Sequence, residues 1–218
     1  TFLLLLALEK HLLFHADSTR QGGWERKTGR EILGKTIGIV GMGRIGKEVA
    51  VRARAFGMQV IGYDVYWDQG FASEHGVERC QDIADLFSRV DYLSLHTNLT
   101  PETRELICAK TIKLLKPGAI LLNCARGEII HTADVAEALS SGALRGYGTD
   151  VLDEEPPSEN HPLTNLPNCL VTPHIGSRTR ESVQRQAVAA VTNLVNAMRG
   201  EPPLAQVNPE VAIQRVVE

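Results

Sequence analysis

The chain has 218 residues, of which 43% are hydrophobic and 22% charged, with 19 glycines and a formal net charge of −3. That length buries one sizeable core near the upper end for a single domain, and the balance is that of a globular α/β protein. A mildly negative chain offers no electrostatic footprint for nucleic acid or for an anionic membrane surface.

The chain opens on Thr1 and the apolar run Phe2-Leu3-Leu4-Leu5-Leu6-Ala7-Leu8. This is far short of the roughly 20 apolar residues that span a bilayer. No basic stretch precedes it, and Glu9-Lys10-His11 follows before Leu12-Leu13-Phe14 resumes the pattern. The spacing predicts one helix over residues 2–14 with a broad buried face, entered in mid-course. Residues 17–34 are polar and glycine-containing, a loop in which Trp24 is expected to anchor the segment to the body. From Lys35 onward β-branched runs alternate with helical patterns. Strands are expected at 36–40, 59–63, 92–95, 119–123, 144–149 and 169–172, several of them apolar on both faces as parallel strands covered by helices are. Between them, Thr100-Pro101 reads as a helix start. Leu114 to Gly118 reads as a helix stop. Helices are expected at 47–56, 132–140 and 178–199, the last closed by Gly200. Residues 153–162, with three prolines, form the clearest long loop. The alternation predicts a doubly wound parallel sheet.

Cys80, Cys108, Cys124 and Cys169 are scattered, with no CxxC pair and no grouping with histidine. They read as reduced, mostly buried thiols of a cytoplasmic protein, with no metal site.

The most informative stretch runs from Thr36 to Gly46. A strand, Thr36-Ile37-Gly38-Ile39-Val40, meets Gly41-Met42-Gly43-Arg44-Ile45-Gly46 and then a helix. Gly41 permits the tight turn, Gly43 lets the backbone approach a pyrophosphate, and Gly46 lets the helix lie close on the sheet. The helix N-terminus then presents unpaired N–H groups to the phosphates. A second strand ends at Asp64, about twenty residues on, where a carboxylate accepts both hydroxyls of an adenosine ribose. No Arg or Lys directly follows Asp64, so NAD is expected over NADP.

Hydride chemistry on a 2-keto acid also needs a cation for the carboxylate and carbonyl, a proton donor and a group that tunes the donor. Arg126 follows the strand ending at Asn123, Glu155 lies beyond the strand ending at Thr149, and His174 follows Thr172-Pro173. Each has an ordinary alternative: an ion-pair partner, a solvated loop acid, a capping histidine. Together, each past the exit of a consecutive strand, they form an acid–base constellation.

The ordered set resembles the D-isomer-specific 2-hydroxyacid dehydrogenase family over nearly the whole chain. It comprises GxGxxG, Asp64, Asn123-Cys124-Ala125-Arg126-Gly127, Gly148-Thr149-Asp150-Val151 with Glu155-Pro156, and Thr172-Pro173-His174-Ile175-Gly176. The resemblance implies a Rossmann-type NAD-binding domain (residues 16–183) with parts of a substrate domain at both ends. Residues 1–15 would be the helix leaving that domain, and residues 184–218, with Val207-Asn208-Pro209, the return into it. It implies that Arg126 binds the substrate carboxylate and carbonyl, that His174 is the acid/base, and that Glu155 raises the pKa of His174. Glu154 competes with Glu155, but the family's glutamate directly precedes the proline. The same resemblance sets Arg44 and Ile45 beside the pyrophosphate and Asp150 near the nicotinamide carboxamide. Thr97, Thr103, Cys124, Ala125 and Gly176 then line the cofactor cleft. Asn98 and Val65 stand where many members have proline. His96 is a poor rival to His174, having no Glu-Pro partner in its motif.

The family's further domain, carrying a glycine-rich loop for the substrate carboxylate, is expected ahead of Thr1. The implied function is hydride transfer between NAD(H) and a D-2-hydroxy/2-keto acid resembling 3-phosphoglycerate, hydroxypyruvate or glyoxylate, in a homodimer. For this chain alone little turnover is expected. The alternative is a non-catalytic NAD(H)-binding module, a corepressor-like sensor or an inactive fragment.

Overall fold

The computed structural model describes residues 1–208. The expected return segment runs past Asn208, and that part lies outside the described residues. The chain divides into two compact units, Thr1–Pro173 and His174–Glu218.

The first unit runs α1 (Phe2–Glu9), α2 (Leu12–Arg20), β1 (Thr36–Val40), α3 (Arg44–Ala55), β2 (Gln59–Tyr63), α4 (Gln69–His75), β3 (Glu78–Arg79), α5 (Ile83–Arg89) and β4 (Tyr92–Leu95). It continues through α6 (Ala109–Ile112), β5 (Ala119–Asn123), a 3-10 turn (Gly127–Ile129), α7 (Thr132–Ser140), β6 (Leu144–Thr149) and β7 (Cys169–Val171). The strands make one sheet in the order β3-β2-β1-β4-β5-β6-β7, every pair parallel. Winding goes one way from β1 and then the other from β4. The junction of those two strands is therefore the switch point, with its crevice outside their carboxyl ends.

Alternation along the strands builds a core on each face of this sheet. Ile37, Ile39, Tyr92, Ile120 and Leu122 join one buried cluster with Val49, Ala50 and Ala53 of α3. Val40, Leu93, Leu95 and Leu121 join the other with Leu86 and Phe87 of α5 and Val135, Ala138 and Leu139 of α7. Gly38 sets how close α5 lies, because a Cβ there would stand 2.6 Å from side-chain carbons of Leu86 and Val90.

The expected single N-terminal helix is two. His11 adopts φ 48° between α1 and α2, a left-handed residue that the apolar pattern did not reveal. α1 packs along β5 and β6, and its last residue explains why an acid stands inside an apolar helix. Glu9 is buried; it receives Arg145 Nη1 at 2.6 Å, Arg145 Nη2 at 2.7 Å and the Tyr92 hydroxyl at 2.6 Å. Burial works to raise the Glu9 pKa, but the hydrogen bonds from Arg145 and Tyr92 outweigh it and hold it below 4.5. A depressed carboxylate stabilises the fold above its unfolded pKa and loses that contribution as pH falls through the folded one. Wild type should therefore lose urea resistance as pH drops below 4.5. Glu9→Gln should lose about 1–3 kcal/mol at neutral pH and show a flatter acid dependence. Equal slopes for the two proteins in urea titrations between neutral and acid pH would refute this role.

Other expectations shift as well. Trp24 is 80% exposed rather than an anchor. α2 reaches Arg20, so the loop starts at Gln21 rather than at Asp17, where the polar composition begins. Thr100-Pro101 opens a run of turns, and the helix after it starts only at Ala109, capped by Cys108. β3, two residues long, has no counterpart among the expected strands. Cys80 is buried, the other three cysteines are half-buried, and all four are free thiols. No helix among the described residues is long and apolar enough to cross a membrane.

The second unit is built on α8 (Arg180–Met198), whose first turn is capped by Thr179 Oγ1 accepting the Ser182 N–H at 3.1 Å. Gly200, at φ 68°, follows its end.

Candidate active site

The phosphate turn leaves β1 at the switch point. Gly41 has φ 95°, and a Cβ there would lie 2.6 Å from the backbone carbonyl of His96. Both the dihedral and the neighbouring strand exit therefore demand glycine. At Gly43 a Cβ would meet nothing within 4 Å, so the backbone there faces open space. At Gly46 it would lie 2.0 Å from the Gly41 oxygen, the close helix–turn contact that the third glycine serves. Arg44 and Ile45 form the first turn of α3 beside this opening, with Ile45 exposed. Asp64, at the end of β2, closes the turn. Its Oδ2 accepts the Met42 N–H at 2.6 Å and its Oδ1 the Tyr66 N–H at 2.8 Å. A backbone cradle open at Gly43, a helix N-terminus and a carboxylate at the second strand's end fit a dinucleotide's pyrophosphate and ribose.

The exit of β4 carries the next group. Thr103 Oγ1 accepts the Thr100 N–H at 2.8 Å and donates to the Asn98 carbonyl at 2.7 Å, bracing the loop in which Thr97 sits. His96 bonds Ser94 through Nε2 at 2.7 Å, and burial pushes its pKa down to about 4. A histidine held neutral in this way is poorly suited to act as a general acid near neutral pH.

Arg126, Cys124 and Ala125 follow β5. The turn that presents them is folded by Asn123, whose Oδ1 accepts the Ala125 N–H at 3.0 Å and whose Nδ2 donates to the Arg126 carbonyl at 2.9 Å. Arg126 itself is exposed, its Nη1 donating to the Ala125 carbonyl at 2.6 Å. Thr149, fully buried at the end of β6, shares its one hydroxyl hydrogen between the carbonyls of Asn123 and Val151, tying the two exits together. Asp150 follows; its N–H bonds the Asn123 carbonyl at 3.0 Å and its Oδ1 accepts the Thr172 hydroxyl at 2.5 Å. Asn123 and Thr149 are positioning residues that the motif reading passed over. The available signal was an Asn at a strand end, an Asx-turn former.

Glu155 lies in the loop after β6, with Oε1 accepting the Leu152 N–H at 2.9 Å. That loop touches the Arg126 turn directly, since a Cβ on Gly127 would fall 2.0 Å from the Leu152 carbonyl carbon. His174 opens the second unit with φ 53°, and Ile175 and Gly176 follow it. Among the described residues no group of three or more His, Cys, Asp or Glu side chains could hold a metal ion.

Comparison with known proteins bears on the family and the fold. Residues 2–176 match the model of the D-isomer specific 2-hydroxyacid dehydrogenase, NAD binding domain. A D-3-phosphoglycerate dehydrogenase of Methanocaldococcus jannaschii is 42% identical over 200 residues, covering 91% of this chain and 38% of that protein. A glyoxylate reductase of Aeropyrum pernix is 40% identical over 220 residues, covering 97% of this chain and 65% of that protein. The crystal structure of the TT0316 protein from Thermus thermophilus superposes with a TM-score of 0.87 at 40% identity, covering 94% of this chain and 66% of the other. The chain thus spans 38% and 65% of the length of the two relatives. With the family model matched over most of the sequence and the dinucleotide cradle in place, the chain belongs to the D-isomer specific 2-hydroxyacid dehydrogenases and is their NAD-binding domain.

Proposed function

We propose that this chain supplies the cofactor-binding and acid–base side of an enzyme that transfers hydride between NAD(H) and a D-2-hydroxy/2-keto acid of the 3-phosphoglycerate, hydroxypyruvate or glyoxylate type. The observation that carries the reading is the locking together of the β5 and β6 exits by Asn123, Thr149 and Gly127. This holds Arg126 and the 150–155 segment at the carboxyl end of the same sheet as the phosphate turn. A bound nicotinamide would supply the hydride for C2 of the keto acid, leaving this chain's residues to hold the carboxylate and to handle the proton at the carbonyl oxygen.

In this reading Arg126 holds the substrate carboxylate and polarises the carbonyl, a task suited to a planar cation with paired donors. His174 carries the proton to and from the oxygen, and Glu155 favours its imidazolium form. Asp150 meets the carboxamide, while Thr97, Cys124, Ala125, Ile45 and Gly176 line the cleft. Residues 1–15 and 184–218 are read as the two connections to a substrate domain, and the assembly as a homodimer, whose mass light scattering at micromolar concentration reads.

The test is NADH oxidation by the full-length polypeptide encoded with this chain, on addition of glyoxylate or hydroxypyruvate. Turnover supports the enzyme; tight NADH binding with no turnover on any 2-keto acid favours a binding module. Cofactor choice gives a separate check. Asp64→Ala removes two charge-assisted hydrogen bonds and the repulsion of a 2′-phosphate. NADH affinity should then fall by roughly 10–100-fold, while NADPH affinity falls less or rises. Titration calorimetry with both nucleotides reads the ratio, and an unchanged ratio would remove Asp64 from the ribose site.

A further inference from the structure

The loop over residues 153–160 is exposed throughout, yet it ends on a histidine that is only 4% exposed. His161 has both ring nitrogens engaged. Nδ1 accepts the Leu163 N–H at 3.3 Å, and Nε2 bonds Asp153 Oδ1 at 3.0 Å. The backbone around the ring is equally tied. The His161 N–H bonds the Ser158 carbonyl at 3.1 Å, and the Thr164 hydroxyl donates to the His161 carbonyl at 2.9 Å. Leu163, fully buried, fixes this end of the loop in the core. Burial resists ionisation of Asp153, but the hydrogen bonds from the His161 and Thr132 side chains and from its own backbone together outweigh it and keep that carboxyl below its ordinary range.

Asp153 is the residue after Leu152, whose N–H holds Glu155 Oε1. The imidazole therefore ties the buried end of the loop to the residue next to Leu152, whose N–H the Glu155 carboxylate accepts. An exposed glutamate on an unbraced loop would sample many rotamers and spread its charge over them. A positioning group that locks the neighbouring peptide removes that freedom.

We propose that His161 and Asp153 form a clamp that positions the Glu155 carboxylate, so that His161 governs the acid–base pKa of the reaction without touching substrate or cofactor. This rests on the reading above, in which Glu155 raises the pKa of the proton donor.

The experiment uses the full-length polypeptide and two readouts. The first is the pH profile of kcat/KM for keto-acid reduction, whose basic limb reports loss of the donor's proton. Glu155→Gln should move that limb to lower pH, and this arm tests the underlying reading alone. His161→Asn keeps an acceptor for Leu163 but cannot reach Asp153, and it should move the limb the same way by about one pH unit, a tenfold change in proton affinity. His161→Gln, which restores a donor toward Asp153, should recover most of the shift. The second readout is amide exchange at Leu152, which should quicken about tenfold or more in His161→Asn as its acceptor becomes mobile. Asp153→Ala, an exposed-loop change, should reproduce both effects if His161→Asn folds poorly. A shift in Glu155→Gln with none in His161→Asn or Asp153→Ala overturns the clamp and leaves the reading intact. No shift in Glu155→Gln overturns the reading and the clamp with it.

Discussion

His174→Ala in the full-length polypeptide should lower kcat for keto-acid reduction by about 10²–10⁴-fold, the contribution of a positioned general acid, with little change in NADH affinity. The residue stands two positions beyond Thr172, whose hydroxyl bonds Asp150 and whose N–H bonds the Thr149 carbonyl at 2.9 Å. In the chain it comes three residues after Val171, the end of the last parallel strand. Its φ of 53° is uncommon for a residue with a Cβ, and such backbone positions concentrate at functional sites. His96 is poorly suited to take over the proton, because its Nε2 is engaged with Ser94 and burial favours its neutral form. Single-turnover NADH oxidation and NADH fluorescence titration read the two quantities separately. Equal losses in both would assign His174 a structural task and leave the proton donor to be found elsewhere.

Gly127→Ala should damage stability and turnover together. Gly127 is buried, and an added Cβ would lie 2.0 Å from the Leu152 carbonyl carbon, 2.1 Å from its oxygen and 2.3 Å from the Asp153 nitrogen. All three are backbone atoms, so no rotamer change relieves the overlap and the two strand exits must part. Overpacking of this kind costs roughly 1–3 kcal/mol, or about 2–12 °C in Tm for a chain of this size. The larger effect is on chemistry, because the parting moves Arg126 away from the loop that bears Glu155. A misplacement near 1 Å lowers kcat/KM by about 100-fold. NADH binding should largely survive, since the phosphate turn belongs to β1 and its contacts run to Asp64. Calorimetry with steady-state kinetics would show the split. A variant with wild-type kcat/KM would mean that the two loops do not act as one unit.

Much of the candidate site was legible in the chain because its signals are local. Gly41, Gly43 and Gly46 answer to a turn, a ligand approach and a helix contact within six residues, and Asp64 sits at the end of the next strand. Arg126, Glu155 and His174 could be named as candidates from short motifs. What orders them could not. Asn123 and Thr149 act through carbonyls on neighbouring strands, and His161 reaches Asp153 across a loop whose composition reads only as solvated.

The sequence by itself determined the α/β class, six of the seven strands and the nucleotide turn. Apolar runs on both faces and glycine at steric pinch points express local requirements that hold in any parallel sheet. Tertiary structure alone decided the break at His11, the exposure of Trp24, the two-residue edge strand β3 and the pairing of Glu9 with Arg145, 136 residues apart. Each depends on which strand lies beside which. A buried charge finds its partner, and an edge strand its ladder, only once the sheet order is set.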